Sequence, residues 1–176
     1  NLFYLKYYLQ YYEKTSQEDS YAAFVNYIWR EKISGKSTCN GINIERDKCF
    51  LQIVNDRMKH SEFFLDESNY DARALHALLA DEIVGRTENG IFITHDIYEE
   101  WGACRIIERE WNRRKGIQTF FQNIGSSYVV RRTFRQWLVE KLNGNPVHES
   151  QEILDAVSNN SILPVWRDEI IVSILL

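Results

Sequence analysis

Residues 82–101 read EIVGRTENGIFITHDIYEEW, and this stretch contains the strongest local signal for the fold of the chain. Asn89-Gly90 separates two short runs that are rich in β-branched and apolar residues. An Asn-Gly pair in that position is typical of a two-residue hairpin turn, because both residues of such a turn need positive φ. The stretch therefore predicts a β-hairpin over 83–94 with its turn at Asn89-Gly90.

The residues that follow the hairpin change to helical spacing. Acidic side chains fill the first turn of the predicted helix, where the helix dipole favours negative charge: Asp96, Glu99 and Glu100. Thr94 is in position to cap this helix, which is expected to begin at His95 or Asp96 and to run to about Trp111. The sequence thus predicts that a strand passes directly into a helix at His95.

The elements before the hairpin can be predicted in the same way. They are a helix over 44–59 with Asn43 as its N-cap, a short strand over 61–65, and a helix over 71–82 capped by Asn69 or Asp71. Together with the hairpin, this is the order of elements in a winged helix. We therefore expect a winged-helix-like module at 42–111, with the hairpin as its wing.

Helices are expected on both sides of this module. Apolar residues at helical spacing predict helices over 2–13, from Ser20 to about Gly35, and over 116–124, 126–142, 148–158 and 164–175. The chain is therefore predicted to be mainly α, formally α+β with three or four strands. Its expected domains are a helical lid segment (1–41), the winged-helix-like module (42–111) and a C-terminal helical segment or bundle (112–176).

Composition narrows the classes of function. The net charge of −4 makes tight nucleic-acid binding a poor default, because such affinity rests on neutralising phosphates. Three cysteines without a CxxC pair indicate free thiols in a reducing compartment, which we expect to be the cytoplasm. The apolar start is too short to span a bilayer, so no membrane segment is expected. Both ends stop within apolar patterns, and we therefore expect a piece of a longer protein.

Short motifs provide no complete catalytic site. GKS at 35–37 is similar to the end of a phosphate-binding loop, but Arg30 stands where that loop needs its first Gly. None of the histidines has a second His or Cys at metal-ligand spacing: His60, His76, His95 and His148. His95 is a candidate because it lies where the wing turns into a helix, although a capping or buried histidine is the plainer interpretation.

Basic and aromatic residues are interleaved in the C-terminal half. They are Arg105, Arg109, Arg113, Arg114, Lys115, Arg131, Arg132 and Arg135, with Trp111, Phe134 and Trp137. Such a cluster is compatible with a nucleic-acid face. Because Glu108, Glu110 and Glu140 lie among these residues, we favour ion-paired helix surfaces instead.

The segment FITHDIYEEWGACRIIEREW (92–111) resembles the winged-helix region that follows the nucleotide-binding core in STAND-type P-loop NTPases, the AAA-like and NACHT signalling ATPases. The matching residues are Phe92, His95, Asp96, Tyr98, Glu100, Trp101 and Ala103. Residues 1–12, 131–142 and 163–176 are more loosely similar to the helical lid, to the amphipathic helices that follow the winged helix, and to the entry of a C-terminal helical array.

The resemblance implies a nucleotide-driven switch. In many members a histidine at the end of the wing reaches the β-phosphate of ADP, and His95, with Asp96 beside it, matches that position. It also implies that ATP or ADP and Mg²⁺ bind to an upstream domain of the same protein, and that activation involves oligomerisation in bacterial stress or defence signalling. The chain has no Walker A, Walker B or arginine finger, so we expect no catalysis and no cofactor in this segment itself.

Two other functions stay open. A DNA-binding winged helix would place the helix at 71–82 in the major groove, where its single Arg73 is surrounded by acids that repel phosphate. An enzyme would combine His95, Asp96 and Glu99 in acid–base chemistry, although neighbouring residues rarely converge on one substrate atom.

Overall fold

The computed structural model of the chain is dominated by helices. The structure describes residues 5–7, 9, 21–35, 42–143 and 147–175. The helices are α1 (Tyr21–Ile28, continued by a π-helical turn over Trp29–Ser34), α2 (Ile42–His60), α3 (Ala72–Ala80), α4 (Asp96–Arg113), α5 (Ile117–Ile124), α6 (Tyr128–Asn143), α7 (Val147–Ser158) and α8 (Pro164–Leu175). The strands are β1 (Val84–Thr87) and β2 (Gly90–Ile93). The prediction of a mainly α chain with a hairpin and helical bundle is confirmed.

Some predictions concern residues outside these ranges. They are most of the predicted helix over 2–13, the predicted start of the next helix at Ser20, two residues of the GKS motif (Lys36 and Ser37), and Cys39. Residues 5–7 and 9 are helical, as expected for the first helix.

The chain divides into two compact units. The first comprises Asn1–Phe50 and Asp66–Thr94, and the second comprises Leu51–Leu65 and His95–Leu176. The chain therefore passes between the units three times: within α2, between Leu65 and Asp66, and between Thr94 and His95. This division by contacts does not test the predicted domain boundaries after residues 41 and 111, which stay predictions.

The hairpin of the first unit is confirmed, but its turn lies one residue earlier than predicted. Thr87 pairs with Gly90, so the two turn residues are Glu88 and Asn89, and neither has positive φ. Gly90 alone adopts positive φ (126°) and belongs to β2. The Thr87 hydroxyl accepts from the Asn89 N–H at 3.2 Å and donates to the Gly90 carbonyl at 3.3 Å. These bonds hold the turn without the left-handed conformation that the Asn-Gly pair predicts.

The helix before the hairpin, α3, begins at one of the two predicted caps. The Asp71 carboxylate accepts from the Ala74 N–H at 2.8 Å, whereas Asn69 ends a short 3-10 turn over Glu67–Asn69. At the other end, Asp81 accepts from Arg46 of α2 at 2.6 Å. The α3 helix is thus closed at both ends by charged contacts within the first unit.

The predicted cap at Asn43 is wrong. Because α2 begins at Ile42, Asn43 lies inside its first turn, and its side-chain oxygen is buried without a hydrogen-bond partner among the described residues. The predicted strand over 61–65 does not form, although Leu65 makes a single β-bridge, so only two strands occur in the described ranges. Ser61 has positive φ (56°) and donates to the Arg57 carbonyl at 2.9 Å, which ends α2 with a turn instead of leading into a ladder.

Aromatic side chains form the core of the second unit. The buried cluster is Trp111, Phe120, Phe121, Phe134, Trp137 and Trp166, from α4, α5, α6 and α8. Trp111 meets Phe120 and Trp137 at centroid distances of 5.1 and 5.3 Å, which is within the range of favourable edge contacts. The helices α5 to α8 begin and end within two residues of the predicted limits.

Candidate functional site

His95 lies at the junction between β2 and α4. Its backbone is extended (φ −138°, ψ 131°), and its carbonyl accepts from the N–H of Tyr98 at 3.0 Å. The exposed imidazole meets the Tyr98 ring edge-on, with 5.7 Å between the centroids. Because Tyr98 is buried, this contact orients the imidazole and leaves it accessible from outside.

Thr94 anchors the end of the hairpin and does not cap α4. Its hydroxyl can donate to the carbonyl of Glu82 at 2.6 Å or to that of Ile83 at 3.0 Å, and its N–H donates to the Ile83 carbonyl at 3.2 Å. The prediction of Thr94 as the cap is wrong, because these bonds turn the hydroxyl back towards the start of the hairpin. His95 takes the N-cap position instead, without a side-chain capping bond.

The first turn of α4 is acidic as predicted, but two of its three carboxylates are paired with arginines. Glu99 pairs with Arg57 and Glu100 pairs with Arg132, while Asp96 is exposed. Burial raises the pKa of Glu100, Arg132 opposes this rise, and Asp96 and Glu99 add to it. The site at His95 therefore combines one accessible imidazole with one exposed carboxylate at the N-terminus of an 18-residue helix.

The Arg57–Glu99 ion pair is the best-formed polar contact near the junction. Arg57 Nε lies 2.5 Å from Glu99 Oε1, and Arg57 Nη2 lies 3.2 Å from Glu99 Oε2. Both side chains are about nine-tenths buried or more, with 10 % and 6 % exposure. Arg57 Nη1 also donates to the Phe63 carbonyl at 2.6 Å. The bidentate geometry lets this pair fix the loop after α2 against α4.

The structure does not assemble the acid–base combination of His95, Asp96 and Glu99. Both carboxylate oxygens of Glu99 are bonded to Arg57, and Glu99 is buried while the other two residues are exposed. Sequence reasoning missed the pairing because the partners are 42 residues apart and neither belongs to a recognisable motif. The one available signal for the pairing was that Glu99 takes a buried position in an acidic helix turn.

The C-terminal basic cluster forms the ion pairs that we favoured over a nucleic-acid face. The pairs are Arg109–Glu110 (3.5 Å), Arg114–Glu152 (2.5 Å), Arg131–Glu169 (3.4 Å), Arg135–Glu169 (2.9 Å), Lys141–Glu108 (3.0 Å) and Arg132–Glu100. Burial raises the pKa of Glu108, but hydrogen bonds from Trp137 and Lys141 outweigh it and leave that pKa below its usual value. Most of the cluster's charge is therefore balanced within the fold.

Two of the three cysteines are described, and both are free thiols. Burial raises the pKa of Cys49 to about 11, with a further contribution from Asp71. Burial likewise raises the pKa of Cys104 to about 11, and Glu140 and Glu108 add to the effect. Neither thiol is therefore activated as a nucleophile at neutral pH.

A search of the described ranges finds no group of three or more His, Cys, Asp or Glu side chains that could hold a metal ion. Over the same residues, no helix is both long and apolar enough to cross a membrane. In comparison with known proteins, no family model matches the chain and no curated protein matches it. The resemblance to STAND-type NTPases therefore stays a prediction.

Proposed function

We propose that this chain is a non-catalytic regulatory segment of a cytoplasmic STAND-type signalling ATPase, with a winged-helix-like module that senses the nucleotide state of an upstream core. The observation that carries the proposal is the accessible, oriented imidazole of His95 at the end of the wing. The module would pass this nucleotide state on to the C-terminal helices. ATP or ADP and Mg²⁺ would bind to the upstream domain of the same protein, which would oligomerise on activation.

The local chemistry supports contact with a phosphate. An imidazole N–H donates well to a phosphate oxygen, and a charge-assisted bond of this kind is about twice as strong as a neutral one. The α4 N-terminus adds partial positive charge next to His95. The pairing of Glu99 with Arg57 and of Glu100 with Arg132 reduces the repulsion that the acidic first turn would otherwise exert.

Asp96 has a second role in the proposal. Its exposed carboxylate directly follows His95 and belongs to the first turn of α4. A carboxylate in that position stabilises the helix start, because the helix dipole favours negative charge there. Asp96 would therefore hold the start of α4, next to His95, in place for a contact with a phosphate, rather than bind the phosphate itself.

The course of the chain at this point suits a switch. Thr94 is bonded to the start of the hairpin, and the C-terminal segment of the second compact unit begins at His95. A contact between His95 and ADP would therefore act at a junction, where loss of the contact can be followed by a two-state domain movement.

The protein's gene provides the first test. The proposal requires a Walker A sequence upstream of Asn1 within about 150–300 residues, the scale of one or two domains. We also expect the purified longer protein to release bound ADP on denaturation. A coding sequence without a phosphate-binding loop, or a folded protein without bound or bindable nucleotide, would contradict the proposal.

A DNA-binding winged helix is the alternative, and the contacts of α3 do not favour it. Arg73 is exposed on this helix, but Asp71 is its N-cap and Asp81 lies at its end. A gel shift at low salt checks the alternative. Nanomolar binding of a duplex would reverse the ranking of the two functions.

A further inference from the structure

One acidic side chain of the second unit, Glu169 on α8, pairs with two arginines of α6 at once. Arg131 Nη1 lies 3.4 Å from Glu169 Oε1, and Arg135 Nε lies 2.9 Å from Glu169 Oε2. The two arginines are one helical turn apart, so both reach the same carboxylate. Because one negative charge cannot balance two positive charges, the Arg131–Glu169–Arg135 cluster keeps one positive charge.

The other ion pairs of the C-terminal basic cluster are built differently. Among the described residues, each of their carboxylates is within ion-pair distance of a single cation: Glu100 with Arg132, Glu108 with Lys141, Glu110 with Arg109, and Glu152 with Arg114. These pairs are balanced one to one. Glu169 is the carboxylate that two arginines share, and the sharing leaves an unbalanced charge within the fold.

Most of the hydrogen-bond donors of the two arginines are unused. A guanidinium group has five N–H groups. Arg131 forms one side-chain bond, through Nη1, and its Nε is buried without a hydrogen-bond partner among the described residues. Arg135 Nε is close to Glu169, but it is not aligned for a hydrogen bond there. The cluster therefore combines an unbalanced positive charge with unused donors, and an anion with several acceptor oxygens would satisfy both.

The cluster is open to a ligand from the side of the arginines. Both arginine side chains are 34 % exposed, whereas the Glu169 side chain is 11 % exposed. A ligand therefore meets the guanidinium groups before it meets the carboxylate. Because water is partly excluded around these side chains, a hydrogen bond to them is electrostatically stronger than one in open solvent.

The acids nearest in sequence are turned away from the cluster. Glu140 follows Arg135 by five residues, which places it about 140° further around α6, and its carboxylate accepts from Gln136 at 3.3 Å. Asp168 is exposed and lies about 100° around α8 from Glu169. The positive charge of the cluster is thus not cancelled by either neighbour.

The arrangement of the donors favours a phosphate group over a carboxylate. A carboxylate has two oxygens in one plane, and it matches the fork of a single guanidinium. A phosphate group has three strong acceptor oxygens that point in different directions, so it can accept from two guanidinium groups at once. Nucleic acids bind through many phosphate contacts, whereas this is one cluster in a chain with a net charge of −4. A single terminal phosphate therefore fits better than a nucleic-acid backbone.

We propose that Arg131 and Arg135 form a binding site for one terminal phosphate group, either of inorganic phosphate or of a phosphorylated side chain. The two guanidinium groups donate to the phosphate oxygens, and Glu169 holds the two arginine side chains together from α8. The site lies entirely on α6 and α8 of the second unit. It is separate from His95, and it does not depend on the nucleotide-sensing function.

A titration followed through the arginine Nε–H signals in ¹H–¹⁵N NMR spectra tests the site. Inorganic phosphate is added to the 176-residue chain at constant ionic strength, and acetate serves as the matched oxyanion. We expect saturable shifts of the Arg131 and Arg135 signals with a dissociation constant on the order of 1–10 mM. Acetate should bind about tenfold more weakly or worse, which corresponds to one lost charged hydrogen bond.

A second probe, N-acetylphosphoserine amide, distinguishes the two sources of the phosphate. Tighter binding than that of inorganic phosphate indicates a phosphorylated side chain, and weaker binding indicates the free ion. The site itself is supported in either case, provided that the shifts occur at Arg131 and Arg135.

Single substitutions separate a ligand site from a cluster that only stabilises the fold. Arg135→Gln removes one guanidinium group and should weaken phosphate binding about tenfold or more, and Arg131→Gln repeats the test one turn away. Glu169→Gln removes the competing negative charge but keeps an acceptor oxygen, so phosphate should bind about threefold more tightly or better. Arg109→Gln is the control, since it removes an exposed arginine of the same basic cluster from α4.

Three results would each overturn the proposal. The first is that acetate produces the same shifts as phosphate, or that the phosphate shifts do not saturate by about 50 mM. The second is that Arg135→Gln and Arg131→Gln bind phosphate like the Arg109→Gln control. The third is that Glu169→Gln binds phosphate no more tightly than the unmodified chain.

Discussion

At the scale of the residue, the Arg57–Glu99 ion pair is the most buried ion pair among the described residues of the second unit. Both side chains are almost fully buried, so each charge has lost most of its hydration and depends on the other. The pair also fixes the loop carbonyl of Phe63 through Arg57 Nη1. We expect this pair to contribute more to conformational specificity than to stability.

Substitution of Arg57 tests that expectation. Arg57→Met leaves the Glu99 carboxylate buried without its partner, and it should lower the free energy of unfolding by about 3–5 kcal/mol. Replacement of both residues, Arg57→Met with Glu99→Leu, should recover most of the loss, because no uncompensated charge remains. Urea unfolding followed by circular dichroism measures both changes. A loss below about 1 kcal/mol for the single variant, or no recovery in the double variant, would disprove this assessment.

The two described thiols lead to a second prediction at the same scale. With pKa values of about 11, Cys49 and Cys104 hold far less thiolate at pH 8 than ordinary cysteines do. Iodoacetamide should therefore alkylate them about a hundredfold more slowly in the native chain than in urea. The raised pKa values also add to the stability of the native chain. This contribution is complete at pH values below the pKa of the unfolded thiols, and it is lost as the pH rises towards 11. Equal alkylation rates in native and unfolded protein, measured by mass spectrometry, would contradict the burial of these thiols.

The individual residues differ in how far the sequence predicts them. His95 lies where expected, between the hairpin and the helix that follows it, because the hairpin and the helix start are both local signals. Arg57 could not be foreseen as the partner of Glu99, because the pairing joins residues 42 positions apart.

At the scale of the element, α2 and α4 approach each other closely within the second unit. A Cβ atom placed on Gly102 of α4 would lie 2.7 Å from Cγ2 of Val54 on α2. Valine is β-branched and has one strongly preferred rotamer in a helix, so it cannot easily move away. Gly102 is therefore required here by the close approach of the helices, despite its low helix propensity.

A double-mutant cycle tests this helix contact. Gly102→Ala should lower the free energy of unfolding by about 1–3 kcal/mol through overpacking, although alanine is the better helix former. In a Val54→Ala background the same change should be neutral or stabilising, because the methyl groups that it meets are gone. Thermal unfolding of the four variants gives the coupling energy. Additive effects at the two positions would show that the helices do not meet as described.

Elements marked by local signals are predicted well. The limits of α5 to α8 agree with their apolar spacing and with breaks such as the one before Pro164. The strand over 61–65 was not correct, because Ser61 turns the chain and the Phe63 carbonyl bonds to Arg57 instead of a neighbouring strand. The hairpin turn moved by one residue because the Thr87 hydroxyl stabilises a turn without positive φ.

At the scale of the whole molecule, the two compact units are not continuous in sequence. Residues 51–65 belong with the C-terminal residues, whereas Asp66–Thr94 belongs with the N-terminal ones. Such an exchange could not be predicted, since apolar spacing shows that a helix is buried but not which element covers it. The helices and the hairpin of the predicted winged-helix-like module can be read from the sequence, whereas their contacts cannot.

The nucleotide-sensing proposal also belongs to this scale, because it relates His95 to a domain upstream. The most direct measurement is the dissociation rate of a fluorescent ADP analogue from the longer protein that carries the nucleotide-binding core. His95→Ala should accelerate dissociation about tenfold to a hundredfold, the effect of one lost charge-assisted hydrogen bond. His76→Ala, which removes an exposed histidine from α3, should leave the rate unchanged. A His95→Ala rate equal to that of the His76→Ala control would contradict the assignment of His95 as the residue that reads the nucleotide.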